Sequence, residues 1–233
     1  MKKPVKPDFA RLIKRDEYRV VPWKNGKGKS AEIAIWPEGS AAAESFLWRL
    51  SSARIDAPGP FSIFTDYDRY LALVEGQELK LIFGTGGGER EGGASGKKAS
   101  PVGRDKLLKP GEVFRFPGEE EISCELPAGA VTDLNLIVKR GRVRVEFSFL
   151  NLTAKPRSFQ LGKGVVFLFG VSGQIVASVF PGEMRFTLRE CETLRVNELG
   201  MALGNGSGAA LPERLILLEP ADPECVLIVV ELI

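Results

Sequence analysis

The chain has no histidine among its 233 residues. That absence excludes Ser-His-Asp and Cys-His catalysis, removes the usual general base near neutral pH, and takes away the commonest ligand of zinc, copper and non-haem iron sites. Any chemistry has to come from Lys, Arg, Asp, Glu, Tyr or Cys, and neither a metal nor a cofactor is expected. Cysteine is scarce as well. Cys124, Cys191 and Cys225 are odd in number and far apart, so they read as reduced, partly buried thiols rather than as a disulfide or a metal set. No apolar run is long enough for a signal peptide or a membrane span, and the chain reads as soluble and cytoplasmic. An excess of charge is missing too: Lys plus Arg is 32, Asp plus Glu is 30, and a net +2 gives no general attraction for nucleic acid or anionic lipid. The expected partner is a small molecule met by local charge.

A phosphate loop is also lacking, despite the look of "PWKNGKGKSAEI" at Pro22 to Ile33. With Gly28, Lys29 and Ser30 as the closing triplet, the position that needs the first glycine is Trp23. The residues after the triplet form a short alternating run ending at Pro37, which reads as a strand and not as the helix that would face a phosphate.

What is present is β pattern. Turn signals recur roughly every eight to twelve residues between β-rich runs, the spacing of a sandwich or barrel, and helical periodicity is confined to a turn or two at Asp8 to Arg15. The fold expected is all-β. An internal echo organises it: "LALVEGQELKLIFG" and later "LKPGEVFRFPG" repeat the order of "FLFGVSGQIVASVFPGEMRFTL". Both hold a Gly-Gln turn, at Gly76-Gln77 and Gly173-Gln174, with Pro-Gly-Glu later in the run, at Pro110 to Glu112 and Pro181 to Glu183. This is the rhythm of a cupin, a small jelly-roll barrel, and two copies make a bicupin. We divide the chain into an N-terminal cupin domain over residues 1–140 and a smaller cupin-like domain over 141–233. The first copy carries a polar, Gly-rich insertion over about 84–106, from Gly84 onward, and a second soft stretch runs from Glu198 to Arg214.

Strand alternation gathers the polar residues. In "FLWRLSSARI", Arg49 and Ser51 share a face, with Trp48 on the other; in "VTDLNLIVKR", Asp133 and Asn135 share a face. Such pairs line a ligand-binding interior or lie on a solvent-exposed face. "APGPFSIFTDYDRYL" sets Phe61, Ser62 and Arg69 around a loop, where Arg69 meets a ligand carboxylate or pairs with Asp68 or Asp133. "WKNG" brings Trp23, Lys24 and Asn25 together before a turn, which suits a partly apolar, hydrogen-bonding ligand or a strand entry pinned by a buried Trp.

"PWKNGKGKSAEI", "FLWRLSSARI", "GPFSIFTDYDR", "LALVEGQEL", "LKPGEVFRFPGE" and "LPAGAVTDLNLIVKR" occur in the order seen in the HutD/Ves family of bicupins, which the chain resembles over roughly residues 17 to 140. It departs from the family pattern at Lys27, Ser30, Asp66 and Leu134. The resemblance implies a link to histidine utilisation, with binding of an acidic intermediate such as formylglutamate in a regulatory or accessory role, or a link to stress responses.

The site admits two readings. In the first, a metal-independent pocket binds a small carboxylate: Arg49 and Lys24 neutralise it, Asn25, Ser51 and Asn135 hydrogen-bond it, Trp23, Trp48 and Phe61 wall it, and Asp133 orients the cations. Ser62 and Arg69 complete the candidate set. In the second, a metal-free isomerase or hydrolase uses Lys24 as base or nucleophile and Asp133 as its acid-base partner on a small carbonyl or amide substrate. The sheet edges and the insertion also allow a homodimer.

Overall fold

The computed structural model describes residues 9–23, 28–40, 45–84, 105–162, 164–197 and 214–233. The first strand is β1 (Ala10–Ile13), and a 3-10 turn at Arg15–Glu17 comes after it. Next come β2 (Arg19–Pro22), β3 (Lys29–Trp36), β4 (Trp48–Ile55), β5 (Gly59–Pro60), β6 (Tyr67–Glu75), β7 (Leu79–Phe83) and β8 (Lys106–Leu108). β9 (Val113–Pro117), β10 (Ile122–Glu125) and β11 (Val131–Lys139) complete the first half. The second half holds β12 (Val145–Leu152), β13 (Arg157–Leu161), β14 (Val165–Ser172), β15 (Ile175–Phe180), β16 (Met184–Leu188), β17 (Thr193–Val196), β18 (Arg214–Pro220) and β19 (Cys225–Leu232). The fold is all-β, and every strand pairing among the described residues is antiparallel.

The chain forms two compact units, one of residues Arg19–Arg142 and one of the residues up to Tyr18 together with Val143–Ile233. The division falls two residues after the one drawn from sequence, and the N-terminal segment belongs with the second unit. The reason is tertiary. Ala10 to Ile13 is a strand rather than the expected helical turn, and it pairs with β17 in register from Ala10 with Val196 to Ile13 with Thr193. The spacing of Phe9, Leu12 and Ile13 suits a helix face, but a free sheet edge offers the segment's backbone groups partners that a single helical turn cannot.

Each unit is a jelly roll built from eight equivalent strands. In the first, one sheet has the order β2-β3-β4-β11-β6-β9 and the other β5-β10-β7-β8. In the second, β1-β17-β14-β19-β12 faces β13-β18-β15-β16. Reading β12 for β4, β13 for β5 and so on to β19 for β11 turns the core of one order into the other, with β2 and β3 or β1 as additions. The duplication extends to single residues. A bulge breaks the β6/β11 register between Thr132 and Asp133, and the β14/β19 register breaks at the matching place, between Gly170 and Ser172. The next turn holds Gly76 (φ 93°) in one unit and Gly173 (φ 71°) in the other. A Cβ on Gly76 would lie 2.8 Å from Val131 Cγ1 and 2.9 Å from the Ala130 carbonyl; on Gly173 it would lie 2.8 Å from the Glu224 carbonyl and 2.9 Å from Cys225 Sγ. Both positions combine a left-handed backbone with a close backbone approach. Gly76→Ala and Gly173→Ala are therefore each expected to cost more than about 2 kcal/mol in urea unfolding.

The Pro-Gly-Glu part of the sequence echo does not survive. Pro110 to Glu112 lies between β8 and β9, whereas Pro181 to Glu183 lies between β15 and β16. The true counterpart of Lys109–Glu112 is Arg189–Glu192. In both, the glutamate N–H donates to the carbonyl three residues back (3.2 and 3.1 Å). Its carboxylate also accepts the N–H of Lys109 (3.4 Å) or Arg189 (3.0 Å). Pro-Gly chemistry fits any tight turn; the glutamate cap marks this one. The Pro181 to Glu183 turn corresponds instead to the place of the Gly-rich insertion, whose residues 85–104 lie outside the described residues, as do residues 198–213 of the second soft stretch.

The second unit's interior is filled by aliphatic side chains, among them Leu168, Ile175, Leu188, Leu194, Ile216 and Leu218, all fully buried. In the first unit, Leu71, Leu73, Leu79, Leu81 and Leu108 fill only part of the barrel. The remainder is a cavity.

Candidate functional site

The cavity occupies about 450 Å³ and lies wholly within the first unit. Its floor is one face of the larger sheet, where register places three rows across β4, β11 and β6. The first row is Ala53, Asp133 and Leu73; the second is Ser51, Asn135 and Leu71; the third is Arg49, Ile137 and Arg69. Two guanidinium groups thus flank Ile137, a hydroxyl and an amide sit in the middle row, and a carboxylate lies two rows away. The Asp133 and Ile137 backbones are about 13 Å apart along the strand at ~3.3 Å per residue.

Arg69 is the most constrained of these groups. It is 4% exposed, and its guanidinium lies 5.1 Å from the ring centres of Phe61 and Phe116 and 5.7 Å from that of Phe64. Nη1 donates to the Ser62 carbonyl at 3.1 Å, while the buried Nε has no hydrogen-bond partner among the described residues. Burial draws its pKa down to about 10, as does the nearby Arg49 charge, and attraction to Asp133 resists the fall. The Asp68 option read from sequence fails, because alternation turns Asp68 to the other face of β6. There it accepts from Arg115 (2.6 Å) and Arg140 (2.9 Å).

Arg49 is neutralised within the protein. Its Nε donates to Glu32 Oε2 at 2.7 Å, and Arg19 holds the other oxygen of the same carboxylate. Asp133 has the opposite problem, a buried negative charge. Burial pushes its carboxyl up to about 7, against the attraction of Arg69 and the N–H of Ala53, which donates to Oδ1 at 3.0 Å. Beside it, Asn135 Oδ1 is buried with no donor among the described residues. Cys124 joins the wall from β10, its thiol pushed up by burial.

Of the residues proposed from sequence, Trp23, Arg49, Ser51, Phe61, Ser62, Arg69, Asp133 and Asn135 line this one cavity. Trp48 does not line it. It alternates with Arg49 on β4, so its indole is buried on the sheet's opposite face. Lys24 and Asn25 lie outside the described residues, and with them the Lys24–Asp133 pairing. The segment's ends are described: Trp23 N–H donates to the Gly28 carbonyl (2.9 Å), and its indole N–H to Ser30 Oγ (2.9 Å). A Cβ on Gly28 would fall 2.6 Å from the indole ring, so the glycine admits the Trp23 wall. The candidate set read from sequence leaves out Ser30, Glu32, Phe64 and Cys124. The signal for Glu32 was a carboxylate within an apolar alternating run, obscured because a bulge after it shifts the parity of β3.

The sequence model of the HutD family matches residues 15–208. The chain belongs to the HutD family. A Pseudomonas putida relative described as an uncharacterized 21.2 kDa protein in the hutC 3' region is 30% identical over 188 residues, covering 80% of this chain and 87% of its own. Protein Ves of Cronobacter sakazakii is 28% identical over 157 residues, 66% of this chain and 72% of the relative. Among solved structures, a conserved protein of unknown function from Pseudomonas aeruginosa PAO1 is 25% identical with a TM-score of 0.74, covering 96% of this chain and 98% of that one. A cupin 2 conserved barrel domain protein from Leptotrichia buccalis shares the fold at 9% identity and a TM-score of 0.50, covering 91% and 88%. The HutD-family chain is thus a bicupin.

Proposed function

We propose that this HutD-family bicupin binds a small organic acid of the formylglutamate kind in the first barrel, without a metal, and serves as a regulatory or accessory protein in histidine utilisation or a stress response. The observation that carries the reading is the pair of orphaned atoms in one wall, the Arg69 Nε donor and the Asn135 Oδ1 acceptor. A buried polar group without a partner costs about 1–3 kcal/mol, so a cavity that keeps one of each sign is shaped for a ligand that supplies both. The duplicated barrel sharpens the point. The counterparts of Arg69, Asp133 and Asn135 are Val166, Leu227 and Val229, all part of an apolar core, so the jelly roll itself does not require polar groups there. The cavity's size suits a metabolite rather than a macromolecule. The pathway assignment is supported by the family's name and by the relative from the hutC 3' region.

The test is a thermal-shift series with formylglutamate, glutarate and urocanate. At about a hundred times Kd the best acid is expected to stabilise the first unit by ~2.7 kcal/mol, a rise in Tm of roughly 5–10 °C. Asn135→Val, which copies the second barrel, is expected to reduce that rise by more than half while the free protein still folds. A series in which no acid moves the wild-type Tm sinks the proposal.

A further inference from the structure

The cavity is not uniformly suited to acids, because its polar groups are sorted along β11. Arg49 and Arg69 stand at one end, on either side of Ile137. The Asn135 side-chain amide and the Asp133 carboxyl lie on successive rows toward the other end. A ligand lying along the strand puts its carboxylate against the guanidinium groups and meets the Asp133 carboxyl at its far end. A second carboxylate there would meet the like charge of Asp133, whereas a primary amide brings an N–H donor to its carboxylate oxygen.

We infer that Asp133 is a specificity-determining residue of the proposed acid site, selecting ligands that carry an amide N–H donor, rather than a second carboxylate, at the end remote from the arginines. This rests on the acid-binding reading and adds which half of the ligand each end of the cavity reads. The charges around Asp133 support it. From β6 it faces Arg69, from β10 the Cys124 thiol, and across the floor on β4 Arg49, whose charge is already met by Glu32 on β3. At the rim are Lys29, Arg54 and Asp56; Arg54 donates to Asp56 at 2.7 Å. Arg69 is thus the one cation among the described residues that acts on Asp133, and a bound acid takes up that same cation. Asp133 then either accepts a hydrogen bond as a carboxylate or takes on a proton. A dicarboxylate forces the second course and binds with proton uptake; an amide permits the first.

Asp133 also has a structural role, since its Oδ1 caps the Ala53 N–H beside the bulge. The experiment has to distinguish the two, and Asp133→Asn does so because it keeps an Oδ1 acceptor for that N–H while removing the charge. Titration calorimetry on the full chain would compare glutarate with glutaramate, its isosteric monoamide, at pH 6 and pH 8 in buffers of different ionisation enthalpy. The wild type is expected to bind glutaramate about tenfold or more tightly than glutarate at pH 8, with a smaller ratio at pH 6, where Asp133 holds its proton. Glutarate is expected to bind with the larger proton uptake. In Asp133→Asn the two probes are expected to bind within about threefold of each other at both pH values, with no difference in uptake. A wild type that binds glutarate as well as glutaramate overturns the inference and leaves acid binding standing. So does an Asp133→Asn ratio equal to the wild type's. Silence from both probes overturns the inference, and the acid-binding reading falls with it when formylglutamate and urocanate also leave the wild-type Tm unmoved. Should the variant fail to fold, the wild-type ratio and its pH dependence decide alone.

Discussion

Arg69→Met is expected to lower organic-acid affinity by a hundredfold or more, a loss of at least ~2.7 kcal/mol, while leaving Tm at pH 6 within a few degrees of the wild type. The two effects separate because Arg69 is badly placed for stability and well placed for a ligand. Its guanidinium is buried among three aromatic rings with a single protein hydrogen bond among the described residues, and burial has already depressed its pKa. Replacing such a charge by an apolar chain of similar length is often neutral or stabilising. The pH dependence carries the sign. Asp133 titrates near 7 in the fold and near 3.8 when unfolded, so the folded state holds the extra proton between those values and stability falls as pH rises through that window. Removing Arg69 takes away the attraction that keeps the Asp133 pKa from rising further, so the window extends upward. Arg69→Met is therefore expected to be less stable than the wild type at pH 8.5, though not at pH 6. Denaturant titrations at the two pH values, with calorimetry on the same samples, check both halves. A large loss of stability already at pH 6 would assign Arg69 to the scaffold instead.

Glu32→Ala is expected to cost about 3–5 kcal/mol. Glu32 is 5% exposed and shares its two oxygens between Arg19 and Arg49. Without it the Arg49 guanidinium remains buried with no counter-charge, and the orphaned cation carries the cost. Arg49→Met in the same background is expected to recover more than half of the loss, because it removes the stranded charge. Urea unfolding of the single and double variants closes the cycle. Additive losses would mean that the pair is not coupled.

Most of the strand pattern is legible in the sequence because alternation and turn residues act locally. The polar pairs on β4 and β11 fall on one face as their spacing requires. What was not legible depends on partners far along the chain. β1 reads as a helix until β17 offers it an edge. β2 is a short, mostly exposed run with no pattern of its own, fixed by pairing with β3. Glu32 was hidden by a bulge, which no periodicity reveals, and Trp48 was misplaced by giving its residue type more weight than its position in the alternation. The cavity itself is a property of volume. Only the filled second barrel shows how much side chain the first one lacks.

That filled barrel also reads as a set of instructions. Position by position, it records which side chains the same eight-strand frame accepts when its interior is closed: Val166 for Arg69, Leu227 for Asp133 and Val229 for Asn135. The apolar residues that fill the equivalent positions are therefore already written in the same chain, about ninety-odd residues downstream.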